Sequence, residues 1–299
     1  GHATLIDPWT VEINGQRLTA PHLVLATGAA PVLPPIPGLA EAQPLTSDTL
    51  WDLQALPKRL VVLGGGPIGS ELAQAFARLG STVTQVEMAP RLLLREDPEV
   101  SALVEARFAA DGVSVRTATK AKAVVREGEG FVLVCESNGV EERIGFDRIL
   151  VAVGRAARLD GFGLRELGIK AGRSIEVDEQ GRTSFPNIYA CGDAAGPYQF
   201  THTAAHTAWY AAVNALFGKL LWLRGGAFRI DYSVIPWCTF TAPEVARVGL
   251  NETEAKEKGI AYEVVRYALD DLDRAIADGE TEGFVKVLTV PGKDKILGV

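Results

Sequence analysis

An apolar strand, a glycine turn and an amphipathic helix follow one another between Arg59 and Gly80, in the letters RLVVLGGGPIGSELAQAFARLG. The run RLVVL is apolar after its first residue, which is typical of a strand in a parallel sheet that is covered on both faces. The helix that follows it ends at Gly80, a residue type favoured just past a helix C-terminus. This order predicts a β-α-β unit of a doubly wound sheet.

Three glycines of this turn, Gly64, Gly66 and Gly69, have the spacing G-x-G-x-x-G. The first permits the tight turn, the second lets a diphosphate approach the backbone, and the third lets the helix pack closely on the strand. The helix N-terminus, with Pro67 and Ile68, offers unpaired N–H groups and a partial positive charge to phosphates. We therefore predict a dinucleotide site at this turn, and a glycine turn without a ligand is the alternative.

The next strand, STVTQVE, ends at Glu87, 23 residues after Gly64. An acid at this position accepts hydrogen bonds from an adenosine ribose. Its charge would also repel a 2′-phosphate by a few kcal/mol at an effective dielectric of ~20. The pattern predicts that NAD(H) is preferred over NADP(H), a preference that the nearby Arg91 would soften. A solvated glutamate is the alternative interpretation of Glu87.

The rest of the chain alternates further strands and helices. Residues 4–30 have hairpin patterns with an Asn-Gly turn, and residues 165–199 predict another short β region. The turns EGEG and SNG predict an antiparallel excursion before the buried strand RILVAVG. Asn251 and Glu254 have the spacing of a helix N-terminus, and three apolar strands follow. The predicted fold class is α/β, with a doubly wound Rossmann-like domain, an antiparallel excursion and parts of two further domains.

Composition excludes several classes of function. The net charge of −7 and the pI of about 5.3 disfavour nucleic-acid binding, and no apolar run approaches the ~20 residues of a membrane span. Cys135, Cys191 and Cys238 are too widely spaced for a disulfide framework or a metal cluster, so a cytoplasmic protein is expected. His202 and His206 are four residues apart but lack a third ligand, and no metal site is predicted.

In three further motifs, an apolar strand is followed by glycine and other small residues. These motifs are LVLATGAAP, with Thr27 and Gly28; VAVGR, with Gly154; and YACGDAAG, with Asp193 and Ala194. Together with GGGPIGSELA and PWCTFTAPEVARVGL, they resemble the pyridine nucleotide-disulfide oxidoreductases, and in particular the dihydrolipoamide dehydrogenase and mercuric reductase branch. The resemblance covers nearly the whole chain. It implies that ATG lies where a flavin domain passes into the nicotinamide domain, and that VAVGR lies near the nicotinamide.

By this resemblance, Asp193 would bind a ribityl hydroxyl of FAD, and the small Ala194 beside it would leave room for the ligand. Thr201 and His202 would lie near the flavin ring at the start of their helix. Glu71 matches an acid that points toward the flavin. Two alternatives stay open: Asp193 could cap the next turn, and Glu71 could be a first-turn glutamate that interacts with the helix dipole.

The resemblance divides the chain into four segments: the second half of an FAD domain (1–44), an NAD domain (45–160), a return to the FAD domain (161–231) and a truncated interface domain (232–299). It implies a homodimeric FAD flavoprotein that passes hydride between nicotinamide and flavin and on to a disulfide, thiol or metal-ion acceptor. The family's first glycine motif, its C-x-x-x-x-C pair and its C-terminal His-Glu pair are absent from these 299 residues, so no catalytic residue is assigned.

Because the only methionine is Met88 and the sequence stops at KILGV, we expect a piece of a longer protein, with removal of an initiator Met as the alternative. FAD is expected in the parent protein rather than in this piece, since half of the flavin pocket would be missing. Two further alternatives are a catalytically incompetent NAD-binding fragment and an NADH oxidase or flavin reductase of the same superfamily.

Overall fold

The chain divides into two compact units. One comprises residues 1–30 and 155–233, and the other comprises residues 31–154 and 234–299. The computed structural model describes residues 1–222 and 226–299. Within these described ranges, no helix combines the length and the apolar content that crossing a bilayer requires. The division into four segments by resemblance stays a prediction.

The described residues form nineteen strands and five α-helices. The strands are β1 (Ala3–Asp7), β2 (Thr10–Ile13), β3 (Gln16–Thr19), β4 (Leu23–Leu25), β5 (Ala29–Pro31), β6 (Arg59–Leu63), β7 (Thr82–Val86), β8 (Ser114–Arg116), β9 (Lys120–Glu127), β10 (Gly130–Ser137), β11 (Val140–Phe146), β12 (Arg148–Val151), β13 (Arg155–Ala157), β14 (Ile188–Ala190), β15 (Pro236–Thr239), β16 (Val245–Val248), β17 (Glu263–Ala268), β18 (Phe284–Thr289) and β19 (Ile296–Gly298). The α-helices are α1 (Pro67–Arg78), α2 (Pro98–Ala110), α3 (Thr201–Trp222), α4 (Glu252–Glu257) and α5 (Asp273–Asp278).

A four-stranded parallel sheet in the order β12-β6-β7-β8 forms the centre of the second unit. Strand β6 sends Leu60 and Val62 into a core shared with α1 and α2. Its alternate residues, Val61 and Leu63, enter a second core beneath the antiparallel sheet. Both faces of β6 are therefore covered, which is the reason for its unbroken apolar sequence and confirms the α/β prediction.

The antiparallel sheet in the order β11-β10-β9 is the predicted excursion. The turn between β10 and β11 places Asn138 and Gly139 at φ values of +51° and +78°. Two consecutive left-handed residues are typical of a type I′ hairpin turn, which the Asn-Gly pair favours. Leu133 and Phe146 are fully buried beneath the parallel sheet, so the excursion covers one of its faces.

The first unit contains the predicted meander β1-β2-β3 and a parallel pair, β4 and β14. The alanine-rich helix α3 packs on this pair, with Ala211 against Tyr189 and Cys191. The prediction of a β region over residues 165–199 is correct only for β14. The remainder forms turns and isolated bridges, because left-handed glycines such as Gly168 and Gly181 interrupt it.

The C-terminal part of the second unit has the predicted cap and strands. The Asn251 side chain accepts a hydrogen bond from the Glu254 N–H at 2.8 Å and so begins α4. The last three strands form an antiparallel sheet in the order β17-β18-β19.

Candidate functional site

The glycine turn between β6 and α1 is too crowded for larger residues at two of its positions. A Cβ on Gly64, whose φ is +114°, would lie 2.3 Å from the carbonyl oxygen of Ala152. A Cβ on Gly69 would lie 2.2 Å from the carbonyl oxygen of Gly64. The first and third glycines therefore permit the tight turn and the close packing of α1 on the sheet.

The second glycine of the motif, Gly66, faces open space instead. No atom lies within 4 Å of the position that its Cβ would take. Gly66 is the N-cap of α1 and Pro67 follows at the first helical position. The N–H groups of Ile68 and Gly69 lie in the first turn, where an α-helix provides no acceptor for them. Open space at the positive end of a helix fits the approach of a diphosphate.

Glu87 lies directly against this turn. One carboxylate oxygen accepts a hydrogen bond from the Gly65 N–H at 2.5 Å, and the other accepts from the Ala89 N–H at 2.6 Å. The β6-β7 register thus brings together two groups that are 22 residues apart. A Cβ on Gly65 would lie 2.8 Å from Glu87 Cγ and from Leu92 Cδ2, so this fourth glycine, which the motif does not mark, is also required.

A buried polar pair supports the turn from below. Gln85 is fully buried, and its Nε2 donates to the carbonyl oxygen of Gly64 at 2.9 Å and lies 3.3 Å from Ser70 Oγ. Neither residue belongs to a motif that marks the site in the sequence. The available signal was a glutamine inside an otherwise buried strand, since such a polar side chain needs a specific partner.

The Arg91 side chain is hydrogen-bonded within its own loop. Its Nη2 donates to the carbonyl oxygens of Leu94 and Glu96, both at 2.9 Å. The softening effect that the sequence predicts for Arg91 stays a prediction, and this nitrogen is bound within its own loop.

Gly154, the fourth residue of the VAVGR stretch, has a φ of +128°. Apart from its chain neighbours, no residue has an atom within 4 Å of the position that its Cβ would take. Its carbonyl oxygen accepts from the Val32 N–H at 3.0 Å. It follows β12, which pairs with β6, so it lies at the same carboxyl edge of the sheet as the glycine turn.

A second candidate site lies in the first unit, at the end of β14. A cavity of about 620 Å³ contains Gly28, Asp193 and Thr201, three of the predicted flavin-side residues. Thr27 and Ala194 are outside its lining: the Thr27 hydroxyl donates to the carbonyl oxygen of Arg158 at 2.8 Å, and Ala194 is fully buried.

The Gly-Asp pair is positioned by α3. The Gly192 N–H donates to Thr207 Oγ1 at 2.9 Å, and a Cβ on Gly192 would meet Ala204 Cβ at 3.1 Å. Small residues on both sides therefore allow the helix to approach the turn. The carboxylate of Asp193 remains 22% exposed at the cavity, 4.0 Å from the guanidinium of Arg155. It can accept hydrogen bonds from a hydroxylated ligand.

Comparison with known families identifies the family of this chain. Residues 1–209 match the family model of the pyridine nucleotide-disulphide oxidoreductases, and residues 235–299 match the model of their dimerisation domain. The chain belongs to this family. That result confirms the predicted resemblance.

Named relatives cover the whole length of this chain. It is 40% identical over 301 residues to a mercuric reductase from Lysinibacillus sphaericus and 36% identical over 305 residues to a dihydrolipoyl dehydrogenase from Thermus scotoductus. It spans 54% and 64% of those two proteins, respectively. The solved structure of the HOCl-induced flavoprotein disulfide reductase RclA from Escherichia coli matches with a TM-score of 0.88 at 28% identity, covering 100% of this chain and 67% of that one.

The position of Glu71 in helix α1 corrects one interpretation. Helix α1 begins at Pro67, so Glu71 lies in the second turn, too far inside the helix for the first-turn dipole effect. Its carboxylate accepts from the Phe240 N–H at 2.9 Å. Partial burial raises the pKa of Glu71, and the hydrogen bond from Phe240 only partly opposes this rise.

The three cysteines of this chain are poor nucleophiles. Burial raises the pKa of Cys135 to about 11 and also raises the pKa of Cys191, and both side chains lie in apolar cores. Cys238 is half-buried, and burial together with the charges of Glu244 and Glu71 raises its pKa. The thiolate form is disfavoured in all three, as expected for cysteines that act as small packing residues.

Proposed function

We propose that this chain provides the nicotinamide-dinucleotide site and part of the FAD site of a homodimeric flavoprotein oxidoreductase. When bound, the two cofactors would supply hydride transfer, with electrons passing on to a disulfide, thiol or metal-ion acceptor. The relatives named mercuric reductase and dihydrolipoyl dehydrogenase support this class of acceptor.

The open Gly66 position at the N-terminus of α1 carries the proposal. Gly64 and Gly69 are explained by packing, whereas no protein atom near Gly66 requires a glycine there. A diphosphate in that space would accept hydrogen bonds from the Gly66, Ile68 and Gly69 N–H groups. The partial positive charge at the helix N-terminus would stabilise the negative charge of the diphosphate. The chain would thus bind and orient the nucleotide through its backbone.

A preference for NAD(H) over NADP(H) follows from Glu87. Its carboxylate is held at the glycine turn by two backbone N–H groups and retains acceptor capacity for ribose hydroxyls. A 2′-phosphate about 5 Å away would be repelled by a few kcal/mol at an effective dielectric of ~20. Arg91 keeps its charge, but its Nη2 is bound to loop carbonyls and is not free to donate to that phosphate.

In the first unit, Asp193 would hold a hydroxyl of the flavin side chain, with Gly28 and Thr201 in the same cavity. The guanidinium of Arg155 lies 4.0 Å from the Asp193 carboxylate, beside the same cavity. These residues fit one part of a flavin nucleotide and leave the remainder of its contacts to groups outside this cavity.

Titration of the protein with NADH and with NADPH, followed by nicotinamide fluorescence, tests the nucleotide assignment. We expect tighter NADH binding, and we expect Glu87→Gln to raise the NADPH-to-NADH affinity ratio at least ~10-fold. Glu136→Gln on β10 makes the same change in net charge outside the glycine turn and should leave the ratio unchanged. Tighter NADPH than NADH binding by the wild-type protein would contradict the role of Glu87.

A second candidate function is that of a nucleotide-binding module without turnover. The parallel sheet β4-β14 has only two strands among the described residues, and such pairs are normally part of larger, covered sheets. An absorbance scan separates the two functions. A flavin spectrum that bleaches with NADH supports the oxidoreductase, whereas a colourless protein that binds NADH supports the module.

A further inference from the structure

The loop of residues 88–97 leaves Glu87 and returns to the glycine turn. The Leu93 N–H donates to the carbonyl oxygen of Gly65 at 2.8 Å, and both Leu92 and Leu93 are buried. Leu93 has a φ of +48°, a left-handed conformation that is unfavourable for a residue with a Cβ. Contacts outside Leu93 must therefore hold the loop in place.

The bond from Leu93 fixes the orientation of the peptide that joins Gly65 to Gly66. In a planar trans peptide, the C=O and the N–H point in opposite directions. Because the Gly65 oxygen is held toward Leu93, the Gly66 N–H is directed away from it. This N–H is one of the donors that the proposed function assigns to the diphosphate.

Buried charges from the C-terminal segment hold the far end of the same loop. Lys286 Nζ lies 2.6 Å from an Asp97 oxygen, and the two side chains are only 9% and 5% exposed. Arg247 pairs with Glu96 at 3.0 Å, and these side chains are 5% and 9% exposed. Removing one partner from such a pair would leave an uncompensated buried charge, so each pair strongly favours one position of the loop.

Further hydrogen bonds join the end of this loop to the C-terminal segment. The Asn251 Nδ2 donates to the carbonyl oxygen of Arg95 at 2.9 Å. The Asp97 carboxylate accepts from the Glu252 and Thr253 N–H groups at 3.2 and 3.0 Å. Residues 95, 96 and 97 are thus all attached to the segment that follows β15.

We propose that Lys286 and Arg247, through Asp97 and Glu96, are positioning residues for the nucleotide-binding turn. They hold the loop end, the loop end sustains the left-handed Leu93, and Leu93 orients the Gly65–Gly66 peptide. This inference rests on the proposed function, because it concerns binding of the nucleotide at Gly66. It makes the segment that matches the dimerisation domain a structural support of the nucleotide site.

Lys286→Gln tests the proposal, with Lys256→Gln as the matched control. Lys256 contacts the same Glu252 as Lys286, at 3.5 Å, but is 67% exposed and belongs to α4 alone. We expect Lys286→Gln to weaken NADH binding ~10-fold, about the effect of one lost or misaligned hydrogen bond to a charged group. Lys256→Gln should stay within about two-fold of wild type, and Lys286→Arg should recover part of the loss.

Hydrogen exchange at the Leu93 amide is the second readout, because a general loss of stability would not single it out. All comparisons use a temperature at which circular dichroism shows each variant to be folded. Faster Leu93 exchange in Lys286→Gln, with normal exchange in Lys256→Gln, is the expected result. Unchanged Leu93 exchange in Lys286→Gln would overturn the proposal, even if NADH binding were weaker.

The two proposals fail in different ways. If the wild-type protein does not bind NADH, the proposed function fails, and Leu93 exchange still decides whether Lys286 holds the loop. If wild type and Lys286→Gln bind NADH equally, the positioning role fails while the proposed function stands. Should Lys286→Gln not fold, Asp97→Asn replaces it with the same expected results, because it removes the charge and keeps an acceptor for the Thr253 N–H.

Discussion

Replacing Gly66 with alanine should separate nucleotide binding from folding. Gly66 has a φ of −78° and a ψ of −177°, an extended conformation that alanine adopts readily. Since no atom lies within 4 Å of the added Cβ, the methyl group should fit the folded protein. A glycine-to-alanine change at a compatible site stabilises by about 0.4–1 kcal/mol through the unfolded chain.

The same methyl group would stand where the diphosphate approaches the backbone. If it costs one or two hydrogen bonds to a charged phosphate, the loss is about 2–3 kcal/mol, or ~30–150-fold in Kd. Gly64→Ala is the matched contrast, because its Cβ would lie 2.3 Å from the Ala152 oxygen at a φ of +114°. That variant should lose thermal stability, whereas Gly66→Ala should keep or slightly raise its unfolding temperature.

NADH titration by fluorescence and thermal unfolding by circular dichroism measure the two effects. Gly66→Ala with wild-type NADH affinity would refute the assignment of this space to the diphosphate. Gly66→Ala with a marked loss of stability would refute the packing argument for the turn.

Three further predictions concern titratable groups. The pKa of Glu71 is raised in the folded protein, so the folded state binds its proton more tightly than the unfolded state does. The stability of the folded protein therefore falls as the pH rises above 4.5. We expect Glu71→Gln to raise the unfolding temperature at pH 8 but much less at pH 4.5. Burial alone would raise the pKa of Asp97, but hydrogen bonds from Lys286 and Thr253 lower it to about 2. Asp97 thus contributes stability above pH 3.8 that is lost as pH falls toward 2, and Asp97→Asn should cost about 2 kcal/mol at pH 7 in chemical unfolding, with little difference near pH 2. Cys135, with a pKa of about 11, should resist a thiol reagent at pH 8 until denaturant is added, and labelling of the folded protein would contradict its burial.

The local features of the fold were accessible from the sequence because they depend on neighbours within a few residues. The apolar run of β6, the glycine spacing, the Asn138-Gly139 turn and the Asn251 cap are each set by backbone conformation and side-chain alternation. For the same reason, the sequence placed Glu87 at the end of β7 and Asp193 at the end of β14. The β region predicted over residues 165–199 was mostly wrong, because its glycines favour turns over strand pairing.

The tertiary structure alone decided which distant groups meet. The Glu71 carboxylate receives the Phe240 N–H across 169 residues, and Lys286 reaches Asp97 across 189 residues. No periodicity encodes such pairs, since they depend on how the C-terminal segment packs beside the loop that follows β7. The residues of the proposed nucleotide site could therefore be predicted from the sequence, whereas the contacts that hold them in position were fixed only by long-range packing.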